Sequence, residues 1–261
     1  MAAIPITARS PDVITPNGRG RSVTMRTFDV LLGKILRFEL KPNEQVSEKV
    51  LSDPLGVSRT PVRESLANLE RMKFIDIYPQ RGSFVAPLRL ADLRKSQFLR
   101  EALEVELMLR VLDSADLPVL VRKLRDELAV QETFAAISDD RRFYKSDEAF
   151  HQMIAGHAGL SGIWADISIA KLHMDRFRFL SFPNLDNMSL VLEQHRNIVD
   201  AMASGTHSDA EHAMRKHLRR IFDVVGVVRE RFPQYFEPEA CLLYTSPSPR
   251  DRTRSRMPSS A

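Results

Sequence analysis

The residues best suited to do chemistry are one aspartate and three histidines. Asp147 and His151 stand four positions apart, and His195 and His217 follow further along the chain. On a helix that four-residue spacing sends both side chains from one face. A carboxylate with three imidazoles is a nitrogen and oxygen donor set suited to a borderline divalent cation, with positions left for water or an anion. The single cysteine, Cys241, lies in the final stretch. Residues before it can therefore build no thiolate site, and transition-metal sites of the nitrogen and oxygen kind are the ones open to them. His157, His207 and His212 follow no comparable spacing and read as surface or partly buried residues.

A second group is Ser58-Arg59-Thr60-Pro61-Val62-Arg63-Glu64. Arg59 and Arg63 share one helical face, while Val62, Leu66 and Leu69 take the other. The planar fork of arginine suits two-point contact with guanine O6 and N7, and the first turns of a helix can carry it into the major groove. Arg81-Gly82 falls between two β-type runs, where glycine lets the backbone approach a phosphate or the minor groove closely.

The elements that must position these residues follow from periodicity. Residues 1–24 hold Pro5, Pro11, Pro16, Gly18 and Gly20 with scattered arginine, and read as a disordered arm. From Thr27, the residues Phe28, Leu31, Leu32, Ile35 and Leu36 form one apolar stripe, and Pro42 is expected to stop that helix. Ser47 caps a short helix with Val50 and Leu51 inward. Pro54-Leu55-Gly56-Val57 forms the turn, and Ser58 caps a helix running to about Met72. The runs Phe74–Tyr78 and Ser83–Ala86 then form a hairpin. Three helices and a hairpin make a winged helix-turn-helix over residues 25–87. Beyond Pro87 the pattern predicts helices at about 90–113, 117–136, 140–157, 160–181, 187–204 and 207–232, with breaks that include Pro183-Asn184. The expected fold is mainly α: a winged helix-turn-helix followed by an antiparallel all-α bundle over residues 88–236.

Residues 241–261 lack any such periodicity. Their sequence, CLLYTSPSPRDRTRSRMPSSA, back-translates in one frame to a common transposase-type sequencing adapter and its flow-cell end. This stretch reads as adapter read-through rather than native protein. Its four arginines and one aspartate set aside, the net charge falls from +4 to +1. Residues 1–87 then carry 13 basic against 9 acidic side chains and residues 88–240 carry 21 against 24, so only the front half suits a polyanion. No apolar run approaches the roughly 20 residues that cross a bilayer, and no secretory segment follows Met1. A cytoplasmic protein with no membrane contact is expected.

The runs Val46-Ser47-Glu48-Lys49, Leu55-Gly56-Val57-Ser58-Arg59-Thr60-Pro61-Val62-Arg63-Glu64-Ser65-Leu66 and Arg81-Gly82-Ser83-Phe84-Val85 closely resemble the GntR family of bacterial regulators. The resemblance implies DNA contacts from Lys49, Arg59 and Arg63, with Gly82 at the wing tip. Ser58, Thr60 and Arg81 join them as neighbours on the reading face. Pro54 departs from the pattern at a tolerant place, the end of a short helix. The helical remainder resembles the FCD effector-binding domain, which implies the FadR-type branch of the family. Asp147, His151, His195 and His217 match that domain's metal-binding pattern in order and spacing. Zinc is the first expectation, with nickel or manganese as alternatives, and the effector is expected to be a small carboxylate. Arg100 matches an arginine that often lines the effector cavity; the alternative is that it pairs with Glu104. His173 and Arg176 lie on the helix expected to line the far wall.

The combined expectation is a transcription repressor that reads a pseudo-palindromic operator in double-stranded DNA as a homodimer, under effector control. The alternative is a metal-dependent hydrolase or lyase using the Asp/His3 site, with the front domain as a tether. No general base stands at motif spacing from the quartet, which favours the regulator.

Overall fold

The computed structural model describes residues 22–181 and 185–237. Most of the expected arm, the Pro183-Asn184 break and the adapter-like tail lie outside the described residues. Helix α1 spans Val23–Leu36, opening earlier than the apolar stripe suggested, because Ser22 Oγ accepts the Met25 N–H. It also closes well before Pro42. Phe38 adopts a left-handed φ of 60°, and the Glu39 and Phe38 N–H groups reach back to Lys34 and Ile35 carbonyls. This is a Schellman closure with phenylalanine where glycine is usual. The turn sends the Phe38 ring out of the head to stack on Tyr235, 5.4 Å between centroids.

Strand β1 (Gln45–Val46), α2 (Glu48–Leu55), α3 (Arg59–Arg71), β2 (Ile75–Tyr78) and β3 (Gly82–Val85) complete the head. Ser47 Oγ caps α2 by accepting from Val50 N–H. Leu51 is buried, but Val50 is 64% exposed, contrary to expectation; Ser52 takes the inward place. The sheet has the order β1-β3-β2, antiparallel throughout, with Gln45 opposite Phe84 and Ile75 opposite Val85. β1 was not expected, since two residues are too short to show alternation. Leu31, Leu32, Ile35, Val62, Leu69 and Phe74 fill the core between helices and wing.

The helical half comprises α4 (Leu90–Leu112), α5 (Leu117–Ala136), α6 (Asp140–His157), α7 (Ile163–Ala170), α8 (Leu172–Ser181), α9 (Leu185–Ser204), α10 (His207–Arg219) and α11 (Ile221–Arg231). Two expected helices are each divided. Lys171, buried with its Nζ on Tyr144 Oη, Asp175 and Glu148, ends α7, and α8 restarts so that Leu172 enters the head's core. At Arg220 an N–H bond to the His217 carbonyl tightens the chain. α10 therefore packs on α4 and α9, while α11 packs on α8. The bundle core centres on Met108, Leu124, Phe150, Ile167, Ile198 and Met214. Each such side chain contributes about 1.5–3 kcal/mol on burial.

A third cluster joins the halves. Phe38 from the head meets Leu88, Met174, Phe177, Ile221 and Phe236. The segment after α11 returns to the connecting strand, where Leu88 N–H donates to the Tyr235 carbonyl and Glu237 N–H to the Leu88 carbonyl. No helix among the described residues is long and apolar enough to cross a membrane.

Candidate metal centre and DNA-reading face

On the head, Lys49, Ser58, Arg59, Thr60, Arg63, Arg81 and Gly82 are all exposed. Ser58 occupies the N-cap position of α3, but its hydroxyl makes no capping bond. Arg63 is held by Glu48, which accepts from Nε at 2.6 Å and from Nη2 at 2.9 Å. At the wing tip Gly82 has φ 103°, and a Cβ there would lie 3.0 Å from Gln45 Nε2. That amide donates to the Arg81 carbonyl at 3.0 Å; the positive φ favours glycine here, and a Cβ would also press on the Gln45 amide.

In the bundle, α6 presents Phe143, Asp147, Phe150, His151 and Ile154 on its buried face, and Asp139 caps its start. His195 comes from α9 and is 0% exposed, its ring stacked on Phe150 at 4.1 Å. His217 lies in the last turn of α10, whose start carries a Thr206–Asp209 capping box. One ligand atom from each of Asp147, His151, His195 and His217 falls within 4.8 Å of all the others.

The outer nitrogens of the three rings decide what the inner ones can do. His195 Nδ1 lies 2.8 Å from Gln131 Oε1, and Gln131 Nε2 donates to the Ser146 carbonyl, which fixes the amide orientation. His195 must therefore carry its proton on Nδ1. His217 Nδ1 lies 3.2 Å from Gln194 Oε1. His151 Nδ1 lies 2.7 Å from Glu104 Oε2, in ion-pair contact though not aligned as a hydrogen bond. With the protons outward, three Nε2 lone pairs converge: His217 Nε2 is 3.1 Å from that of His151 and 3.3 Å from that of His195. Donors about 2.05 Å from a tetrahedral zinc stand about 3.3 Å apart. The donor set fits a cation and leaves no proton between the rings.

Electrostatics agree. Burial pushes His195 down to about 3 and His217 well below the imidazole range, His195 against the pull of Asp147. Burial alone would raise Asp147, but the Arg178 guanidinium holds it below the usual carboxylate range. Neutral imidazoles beside an ionised carboxylate are the protonation states a metal requires. A cavity of about 50 Å³ opens on the cluster between Asp147, His217, Arg178 and Arg220.

Arg100, only 1% exposed, pairs through Nε with Glu104, yet its Nη1 and Nη2 atoms have no hydrogen-bond partner. The two alternatives for this residue are thus compatible. His173 and Arg176 are elsewhere. His173 stacks on Phe74 at 4.3 Å with Nε2 2.9 Å from the Met72 carbonyl, and Arg176 donates to the carbonyls of Ala86 and Pro87. Both hold the head against the bundle, because the turn at Lys171 aims this side of α8 toward the head rather than at the metal cluster.

Comparison with known proteins agrees with this two-part architecture. Residues 25–85 match the bacterial regulatory proteins of the gntR family, and residues 97–220 match the FCD domain. An uncharacterised HTH-type transcriptional regulator from an unstable DNA locus of Streptomyces ambofaciens is 37% identical over 224 residues, 86% of this chain and 94% of the relative. The chain belongs to the GntR family. A second relative of this GntR regulator, the HTH-type transcriptional repressor RspR of Escherichia coli, is 30% identical over 217 residues, 83% of this chain and 95% of its own length. Among solved structures, Escherichia coli McbR/YncC superposes with a TM-score of 0.62 at 17% identity, covering 81% of this chain and 99% of that one. A GntR regulator from Rhodococcus gives 0.60 at 20%, covering 78% and 97%. These two likenesses establish the fold. The protein is a DNA-binding transcription regulator, and the hydrolase or lyase alternative gives way to the family of regulators on both halves.

Four polar residues around the cluster of this GntR regulator were not singled out as site residues from sequence. Gln131 is fully buried one turn beyond Leu128, and a glutamine interrupting an apolar stripe was a usable signal. Glu104 was visible only as a partner for Arg100. Gln194 and Arg178, whose Nη1 lies 3.2 Å from Asp147 Oδ2, carry no sequence signal because tertiary folding alone brings them there.

Proposed function

We propose that this GntR regulator is a repressor of the FadR-type branch whose hold on DNA depends on a divalent metal and a small carboxylate bound in its FCD domain. The observation carrying the reading is the pairing of two features. Three outward-protonated imidazoles converge with Asp147, and the nearby Arg100 has two buried donors without partners. Asp147, His151, His195 and His217 would hold the ion, zinc first, with nickel or manganese as alternatives. When bound, the ion would supply positive charge and, in a five- or six-coordinate geometry, positions for an anion beyond the four protein donors. Arg100 would take the carboxylate with its free edge, since a guanidinium fork matches a planar anion. Lys49, Ser58, Arg59, Thr60, Arg63, Arg81 and Gly82 would face DNA, with two copies reading the halves of a pseudo-palindrome in the cytoplasm. His173 and Arg176 fall outside the effector pocket in this reading. The name of the Escherichia coli relative supports repression.

The test combines metal analysis with DNA binding. Purified protein is expected to carry stoichiometric metal that His195→Ala and His217→Ala each lose. Its affinity for the DNA upstream of its own gene is expected to change when metal is chelated and when carboxylates are added. Full metal content in both variants refutes the quartet, and affinity indifferent to metal and carboxylate refutes the control.

A further inference from the structure

Glu104 touches two groups that belong to different ligands. Its Oε1 meets Arg100 Nε, one turn back on α4, and its Oε2 lies 2.7 Å from His151 Nδ1. All three are buried, with Arg100 1%, Glu104 3% and His151 2% exposed. Arg100 uses only Nε on this carboxylate, while Nη1 and Nη2 remain without partners. One buried negative charge is thus divided between a guanidinium with an open edge and an imidazole with a metal-facing lone pair.

We propose that Glu104 is a positioning residue that makes anion binding at Arg100 and metal binding at His151 cooperative. This rests on the metal and carboxylate reading above. An anion on the open edge of Arg100 offsets the guanidinium charge, so Arg100 screens Glu104 less. The field of the carboxylate at the His151 Nδ1–H then strengthens, and His151 Nε2 becomes a better donor. Such effects are large where little solvent intervenes. The converse holds: a cation on Nε2 acidifies Nδ1–H and draws Glu104 toward His151, which frees more of Arg100 for the anion. Linkage requires the two enhancements to be equal. Gln131 and Gln194 support His195 and His217 with neutral amides, and neither touches Arg100. Glu104 alone among these supports joins the two sites.

The experiment titrates the full chain with cobalt(II), read by its visible absorption, in millimolar acetate or in chloride at equal ionic strength. Acetate is expected to tighten cobalt binding at least about fivefold in the wild type. Glu104→Gln should weaken cobalt binding by roughly ten- to a hundredfold and lose the acetate dependence. Gln194→Ala should weaken cobalt binding yet keep the dependence, which separates coupling from simple support. Glu104→Asp, which preserves the charge, should keep it as well, a second route if the Gln variant does not fold. Acetate dependence that persists in Glu104→Gln, or vanishes in Glu104→Asp, overturns the proposal. A wild type that binds cobalt without responding to acetate overturns it while leaving the metal site standing. A wild type that binds no cobalt overturns both.

Discussion

Glu48 and Arg63 face each other across the helix-turn-helix in a two-point ion pair, Nε to Oε1 at 2.6 Å and Nη2 to Oε2 at 2.9 Å. A guanidinium fork of this kind suits a guanine edge, the role proposed for Arg63. The Arg63 side chain is 70% exposed, so the acid aims the guanidinium without hiding it. Glu48→Gln should remove a charge that repels phosphate and also release the arginine from its orientation. Binding to scrambled duplex is expected to tighten more than binding to operator, and the ratio of the two to fall on the order of tenfold. Fluorescence anisotropy on both duplexes measures it; an unchanged ratio would mean that Glu48 does not orient Arg63.

Metal removal should destabilise the bundle. Three imidazole lone pairs converging beside Asp147 are favourable only around a cation. At a free metal concentration of a hundred times Kd, binding stabilises the folded state by about 2.7 kcal/mol. Chelation should therefore lower Tm by several degrees. His217→Ala should melt at one temperature with and without added zinc, and a zinc-dependent shift surviving in that variant would place the metal elsewhere.

The sequence was legible wherever one local pattern decided the outcome. The apolar stripe of α3 put Val62, Leu66 and Leu69 inside and left Arg59 and Arg63 outside. The four-residue step from Asp147 to His151 put both on the buried face of α6. Legibility failed where long-range packing chose between local options. Phe38 leaves α1 early because its ring has a partner in Tyr235, nearly 200 residues away in sequence. His173 and Arg176 have the residue types of a ligand pocket. Their aim depends on the turn at Lys171, set by contacts with Tyr144, Glu148 and Asp175 that periodicity does not encode.

His173 gives the joint between head and bundle a dependence on acid. Burial lowers its pKa from 6.5 to about 4, against the pull of Asp92. Between these values the unfolded chain binds a proton that the folded chain refuses, so stability falls as pH drops through 6.5 and levels off below about 4. At pH 5 the contribution is a loss of about 2 kcal/mol relative to pH 8. His173→Phe keeps the stack on Phe74 but cannot titrate. Its stability should fall less steeply with pH than that of the wild type when denaturation of the two metal-loaded proteins is compared. Equal slopes would exclude His173 as the source.

Arg176 ties the halves together directly. It is 1% exposed, donates from Nη2 to the Ala86 carbonyl at 2.8 Å and from Nη1 to the Pro87 carbonyl at 3.3 Å, and lies over the rings of Phe38 and Phe74. Burial, reinforced by Arg89, lowers its pKa to about 9, against the opposing pull of Asp92 and Asp76. Arg176→Met fits the space and removes the buried charge, but it leaves two connecting-strand carbonyls without their donor at about 1–3 kcal/mol each. Each half keeps its own core, Leu69 and Phe74 in the head and Phe150 and Met214 in the bundle. The variant should therefore retain folded halves and metal content while residues 86–88 become more open to proteolysis and hydrogen exchange. If both protections matched the wild type, the aromatic cluster around Phe38 and Phe177 would be holding the joint without Arg176.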